Sequence, residues 1–162
     1  MRKTKYILII CTGNTARSPV GEYLGNYYSK KYNADLIFDS AGFINAFSNM
    51  QPESQKYLKS KGINFSNFRS KIIDKELLSK QDLILTMESS HAQEIIQNFS
   101  DIKNIDKKTF TLKQFNGETD SIDILDPYYT TIEIYRKVLR IIDKYIEKAV
   151  KRIIKSNIME DK

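Results

Sequence analysis

The chain has 162 residues, of which 28% are charged and 41% hydrophobic, with a formal net charge of +6. That length suits one domain with its own core, and six Gly with three Pro are too few for a low-complexity chain. One Cys and one His exclude an intramolecular disulfide framework and a structural zinc site, and the longest apolar run, over 6–11, falls far short of the roughly 20 residues that span a bilayer.

Residues 1–5 before Ile7-Leu8-Ile9-Ile10 imitate a secretory leader, but the apolar stretch is short. It runs straight into a Gly-Asn turn and Arg17 with no small-residue cleavage site. The run over 5–10 therefore reads as a strand buried on both faces, in a reduced, cytoplasmic protein. A loop over 11–17 follows. Ser18-Pro19 reads as the N-cap and first position of a helix to about residue 30. A second strand is expected over 36–39, closed by Ser40-Ala41-Gly42, and Pro52 opens a helix that Gly62 stops. A short helix over 74–80 precedes a third buried strand over 83–86. Ser89 or Ser90 starts the next helix, ending near Asn98, and 109–111 gives a fourth short strand. The polar stretch 116–126 reads as a loop. From about Thr131 to Lys155, Ile134, Val138, Leu139, Ile142, Tyr145, Ile146, Ala149 and Ile153 recur at spacings of three and four, the apolar face of a helix. Residues 157–162 are expected to fray. Residues 1–162 read as one domain. Alternating strands and helices imply an α/β fold, with an open, mostly parallel sheet covered by helices on both faces.

In such folds ligands sit at the carboxyl ends of strands, which directs attention to Cys11-Thr12-Gly13-Asn14-Thr15-Ala16-Arg17-Ser18-Pro19. Successive N–H groups curled at a helix N-terminus make an anion cradle. Gly13 lets the backbone turn tightly and Asn14 tolerates a left-handed conformation. Arg17 offers a planar fork of donors that matches two phosphate oxygens. At the bottom of this positive bowl, Cys11 is favoured as a thiolate by the N–H dipoles, the Arg17 charge and the Ser18 hydroxyl. A thiolate beneath a phosphoryl group is a nucleophile at phosphorus, and the bowl stabilises the charge on the equatorial oxygens. The leaving group needs a proton, and Asp126 in Asp126-Pro127-Tyr128-Tyr129 is the donor candidate, with two aromatics beside it to wall a narrow pocket. A thiolate nucleophile with a protonated Asp126 predicts a mildly acidic pH optimum.

Other constellations are missing. There is no Gly-x-x-x-x-Gly-Lys-Ser/Thr, no Gly-x-Gly-x-x-Gly and no Gly-x-Ser-x-Gly. His91 reads as structural, and Asp82 and Glu88 as surface or cap residues. The basic side chains are scattered; Arg140, Lys144, Lys148, Lys151 and Arg152 sit beside Asp143 and Glu147. This is a solvated lysine-rich surface rather than a nucleic-acid face, which needs a clustered stripe with stacking aromatics.

The loop and the late Asp-Pro-aromatic motif resemble those of the low-molecular-weight protein tyrosine phosphatase family. Weaker agreement runs through Asp39-Ser40-Ala41-Gly42, Arg69, 83–87 and Phe110-Thr111-Leu112. The resemblance implies a four-stranded parallel sheet with helices on both faces and the phosphate-binding loop after strand 1. It also implies a two-step mechanism without metal or cofactor. Carried over by position, Cys11 is the nucleophile, Arg17 the phosphate clamp, and Asp126 the general acid and then the base. Thr12, Gly13, Asn14, Thr15, Ala16 and Ser18 form or support the phosphate loop, and Tyr128, Tyr129 and Phe47 wall the pocket. The implied partner is a phosphorylated protein or peptide, with no nucleic acid or membrane, and the enzyme is expected to be a monomer.

Two departures bear on this. Ala16 stands where many members have a second Cys, so Cys11 has no partner thiol and over-oxidation is less well guarded. The thioredoxin-coupled arsenate reductases of the same fold need further cysteines, so a chain with one cannot run their relay. Thr15 stands where tyrosine-directed members often have an aliphatic residue; bacterial protein arginine phosphatases of the family have Thr there. The stretches 110–113 and 132–135 also look like those enzymes, whereas Tyr128-Tyr129 looks tyrosine-directed and many bacterial tyrosine phosphatases of the family also carry Thr in the loop. The sequence reading therefore places phosphotyrosine ahead of phosphoarginine. A phosphate-binding module without catalysis would have no use for a general acid.

Overall fold

The computed structural model describes residues 2–162. Its centre is β1 (Tyr6–Cys11), flanked by β2 (Ile37–Gly42) and β3 (Leu83–Thr86), with β4 (Thr109–Thr111) outside β3, in the order β2-β1-β3-β4. All pairs are parallel: Ile9 lies beside Ser40 on one side and Leu85 on the other, and Leu85 beside Phe110. The expected parallel α/β sheet is thus present, with four strands.

The aliphatic run forms β1 because both faces of that strand are covered. Ile7, Ile9 and Cys11 face a core shared with α1 (Arg17–Lys31), α2 (Pro52–Ser60), α6 (Leu112–Phe115) and α7 (Ile132–Glu160). Leu8 and Ile10 face the other way, onto Leu78, Ile95 and Ile105 of α3 (Lys75–Ser79), α4 (Ser89–Asn98) and α5 (Ile105–Lys108). Ile7, Leu8, Ile9 and Ile10 are all fully buried, each contributing about 1.5–3 kcal/mol by removal from water. Asp82 closes the start of this arrangement, accepting the Lys5 and Tyr6 N–H groups at 2.9 Å, the capping role expected of it.

Asp143 ties three helices together. It accepts hydrogen bonds from the Tyr28 and Tyr57 hydroxyls and pairs with Lys61 at 2.9 Å. Burial pushes its carboxyl up, but those two hydroxyls and the ammonium outweigh burial and hold it below the usual carboxylate range.

Two boundaries differ from expectation. The first helix begins at Arg17 with Ala16 as an uncapped N-cap, not at Ser18-Pro19, because the Ser18 side chain is engaged inside the loop. The last helix does not fray at residue 157. It runs to Glu160, and Asn157 clamps the Thr4 main chain, accepting its N–H at 2.9 Å and donating to its carbonyl at 2.7 Å. The short helices α5 and α6 carry no periodicity to read, though α6 has a capping box between Thr111 and Gln114. No described helix is long and apolar enough to cross a membrane.

Candidate active site

The loop leaves the carboxyl end of β1, at the centre of the sheet. Its left-handed residue is Asn14, at φ 53°; Gly13 is not left-handed. What Gly13 supplies is room, since a Cβ there would lie 3.0 Å from Ala46 Cβ. A second glycine matters as much. A Cβ on Gly42 would meet the Thr12 carbonyl oxygen at 2.7 Å and the Asn14 nitrogen at 2.8 Å, so only glycine at the end of β2 lets the loop pack there. The Phe43 and Ile44 N–H groups then hold the Thr12 carbonyl at 2.8 and 3.1 Å.

From below, Asn14 is fully buried, its Oδ1 accepting the Lys71 N–H at 3.0 Å. Its Nδ2 donates to Ser18 Oγ at 2.9 Å and to Ser40 Oγ at 2.8 Å, and Ser18 Oγ lies 2.9 Å from Cys11 Sγ. Helices α2 and α7 anchor the far end: Ser54 donates to the Ala16 carbonyl at 2.8 Å and meets the Tyr135 hydroxyl at 2.7 Å, while the Gln51 N–H donates to the Thr15 carbonyl.

Arg17 is 1% exposed, an expensive place for a charge unless its donors are met. Nη1 donates to the Ile124 carbonyl at 2.7 Å. Nη2 lies 2.9 Å from Glu88 Oε2, 3.6 Å from Asp126 Oδ2 and 3.5 Å from Thr12 Oγ1. The guanidinium is thus fixed in position and balanced by two carboxylates. Asp126 is the more exposed carboxylate, with Oδ1 accepting the Tyr128 N–H. Glu88 stands at the N-cap position of α4, as expected, but its side chain does not cap that helix and is the nearer counter-ion of Arg17. Nothing near it in the sequence signals this; its place just past the end of β3 does, because the carboxyl edge of that strand adjoins the loop. His91 has the structural role expected of it: buried, stacked on Phe43 with centroids 5.2 Å apart, its Nε2 3.1 Å from Thr12 Oγ1. Burial holds it below its ordinary value, more than Glu88 raises it, so it braces Thr12 as a neutral ring.

Above the sulfur lies a cleft of about 220 Å³ lined by Cys11, Thr12, Gly13, Thr15, Ala16, Arg17, Ile44, Ala46, Phe47, Gln51, Asp126 and Tyr128. Cys11, Arg17 and Asp126 therefore meet in one cleft, while Asn14 and Ser18 support it from beneath. Phe47 and Tyr128, with ring centroids 5.6 Å apart, form one wall. Tyr129 does not join them. The Thr130 N–H and hydroxyl both turn back onto the Pro127 carbonyl, which puts Tyr129 at φ 64° and leaves it 93% exposed, its ring against the outer side of Tyr128. Thr15 is almost buried, yet among the described residues its hydroxyl bonds to no protein group. No set of three His, Cys, Asp or Glu among the described residues is arranged to hold a metal ion.

A parallel four-stranded sheet with a cysteine-to-arginine anion loop at its centre defines a cysteine-dependent phosphatase, a hydrolase. The chain belongs to the low molecular weight phosphotyrosine protein phosphatase family, whose model matches residues 6–158. It is 37% identical over 147 residues to a protein-arginine-phosphatase of Geobacillus stearothermophilus, covering 88% of this chain and 94% of that one. It is 32% identical over 132 residues to the low molecular weight protein-tyrosine-phosphatase PtpB of Staphylococcus haemolyticus, covering 81% and 87%. The crystal structure of a low molecular weight protein tyrosine phosphatase from T. tengcongensis superposes with a TM-score of 0.82 at 33% identity, covering 92% of this chain and 99% of that one.

Proposed function

We propose that the protein hydrolyses phosphorylated side chains of proteins or peptides through a phosphocysteine intermediate, and that its preferred substrate carries phosphoarginine. The mechanism rests on one cleft holding a sulfur contacted by a hydroxyl, a buried guanidinium and an exposed carboxyl. Cys11 Sγ attacks phosphorus, the bond to the leaving atom breaks, and that atom takes a proton from Asp126. Water then attacks the phosphocysteine, gives its proton to Asp126, and phosphate departs as the thiolate re-forms. Arg17 and the N–H groups of the loop bear the equatorial oxygens throughout. The steps balance without a metal or cofactor. One chain, read as one domain, supplies every group, so the active unit is a monomer, and Cys11 needs a reducing compartment such as the cytoplasm.

The free Thr15 hydroxyl carries the choice of substrate. A phosphoarginine keeps N–H donors beside phosphorus, which that oxygen can accept; the ester oxygen of phosphotyrosine has none. The sequence puts phosphotyrosine first on two grounds, the Tyr128-Tyr129 pattern and the Thr that many bacterial tyrosine phosphatases of the family also carry in the loop. With Tyr129 turned outward the first ground weakens, and the Geobacillus relative is itself a protein-arginine-phosphatase. Phosphotyrosine is the second reading, favoured by the remaining Phe47–Tyr128 wall.

The test is kcat/KM on one peptide carrying either phosphoresidue, with Cys11→Ser as the blank. Phosphoarginine should be preferred, and Thr15→Val should cut that preference by about tenfold, the worth of one lost hydrogen bond. A wild-type preference for phosphotyrosine would give the second reading the substrate. Activity surviving in Cys11→Ser would overturn the mechanism.

A further inference from the structure

Glu22 lies on α1 and does not line the cleft, yet it ends a line of hydrogen bonds that reaches the sulfur. Their directions follow from donor counting. The Lys71 main-chain N–H fixes Asn14 Oδ1 as an acceptor, so both N–H donors of that amide go to serines, one to Ser18 and one to Ser40. Each serine oxygen thus already accepts from Asn14 and has one proton left to place. Ser40 places it on Glu22 Oε1 at 2.6 Å; Ser18 Oγ lies 2.9 Å from Cys11 Sγ and is the donor when the sulfur is a thiolate.

The alternative arrangement is equally concrete. If the Asn14 amide turned over, its oxygen would face both serines, both would donate to it, and the Ser18 proton would be drawn off the sulfur. Two things oppose this: the Lys71 N–H, which would then face the amide's own N–H donors, and a carboxyl at Ser40, which gives the Ser40 proton a better acceptor. The charged groups facing Glu22 are Asp39 and Lys71, which pair with each other at 2.7 Å, with Tyr23 next along the helix and Arg69 facing Tyr23. None of these takes the Ser40 proton. Burial pushes the Glu22 carboxyl up to about 7; the Ser40 hydrogen bond and Lys71 oppose the rise, and Asp39 adds to it. In either charge state an oxygen remains to accept from Ser40.

We propose that Glu22 is a positioning residue for Cys11, fixing through Ser40 and Asn14 the direction of the Ser18 hydroxyl so that its proton stays on the sulfur. The proposal rests on reading Cys11 as the nucleophile. Its primary test needs no substrate: the pH dependence of alkylation by iodoacetamide, which reports directly on Cys11 because the chain has one cysteine. In Glu22→Leu the alkylation midpoint should rise by about one pH unit and kcat should fall by about tenfold, one unit of ionisation being a factor of ten. Glu22→Gln, which keeps an acceptor oxygen, should restore both. Ser40→Ala should reproduce the Leu variant, and Glu22→Leu combined with Ser40→Ala should be no worse than either alone, as expected of links in one chain. An unmoved midpoint in folded Glu22→Leu, a Gln variant as impaired as Leu, or additive losses would each overturn the proposal. If Glu22→Leu does not fold, the Gln and Ser40→Ala variants decide it. Activity surviving in Cys11→Ser would sink the mechanism while leaving the alkylation result standing.

Discussion

Thr15 and Ala16 are adjacent in the loop, and each bears on a different chemistry: Thr15 on the proposed N–H-bearing substrate, Ala16 on oxidants. With alanine beside it and no other thiol in the chain, oxidised Cys11 cannot form an intramolecular disulfide. Peroxide should therefore drive Cys11 to the sulfinic acid, read as a gain of two oxygens by mass spectrometry. Added thiol should rescue activity only at early times. Thiol-reversible protection arising within the chain itself would contradict this. The nine loop residues were legible in the sequence because they act as neighbours of one another. Lys71 and Glu88 were not, and Ser40 and Gly42 showed only as part of the weaker resemblance over 39–42, because each reaches the loop from the end of another strand or the segment beside it, and that adjacency exists only once the sheet has formed. Tyr129 misled for a related reason: two rings in sequence need not share a wall when the turn between them is set by Thr130.

At the scale of elements, strands proved easier to read than short helices. A buried aliphatic run announces a strand, whereas a four-residue helix such as α5 completes too little of a turn pattern to show. The burial of the Glu22 carboxyl between α1 and β2 has a thermodynamic sign that can be measured. The Glu22 carboxyl is raised from 4.5 to about 7 in the folded chain, so folding favours its protonated form. Its stability contribution is whole below about 4.5 and is lost as pH rises through about 7, a difference of roughly 3 kcal/mol. The denaturation midpoint should fall between pH 5 and 8, and Glu22→Gln should flatten that fall. A wild-type stability unchanged across this window would contradict the linkage. The Asp143 clamp joining α1, α2 and α7 behaves oppositely. Its depressed carboxyl contributes stability above the unfolded value that is lost as pH drops through the folded one. Asp143→Asn should cost about 2–3 kcal/mol in denaturant titration and leave kcat nearly unchanged, since nothing in the clamp touches the cleft.

Across the whole molecule, the alternating pattern was enough to point to the cleft, because a parallel sheet covered on both faces leaves only its strand ends open to a ligand. What the pattern could not show was how the last helix ends. Polar residues at a terminus look like solvent-facing tail until something receives them, and Asn157 is received by Thr4. Asn157→Ala should lower the melting temperature by a few degrees, roughly 1 kcal/mol for two partly buried bonds, without altering turnover; a changed kcat would mean that the end of the helix communicates with the cleft.

The glycine at the end of β2 bears on how portable this site is. The loop's shape is imposed partly from outside: Gly42 yields it space, Lys71 pins its central amide, and Phe43 and Ile44 hold its first carbonyl. Residues 11–19 grafted onto another strand–helix junction would carry Cys11 and Arg17 but not the mould that shapes the loop around them. A transplant that works would have to bring the neighbouring strand's last residues with it.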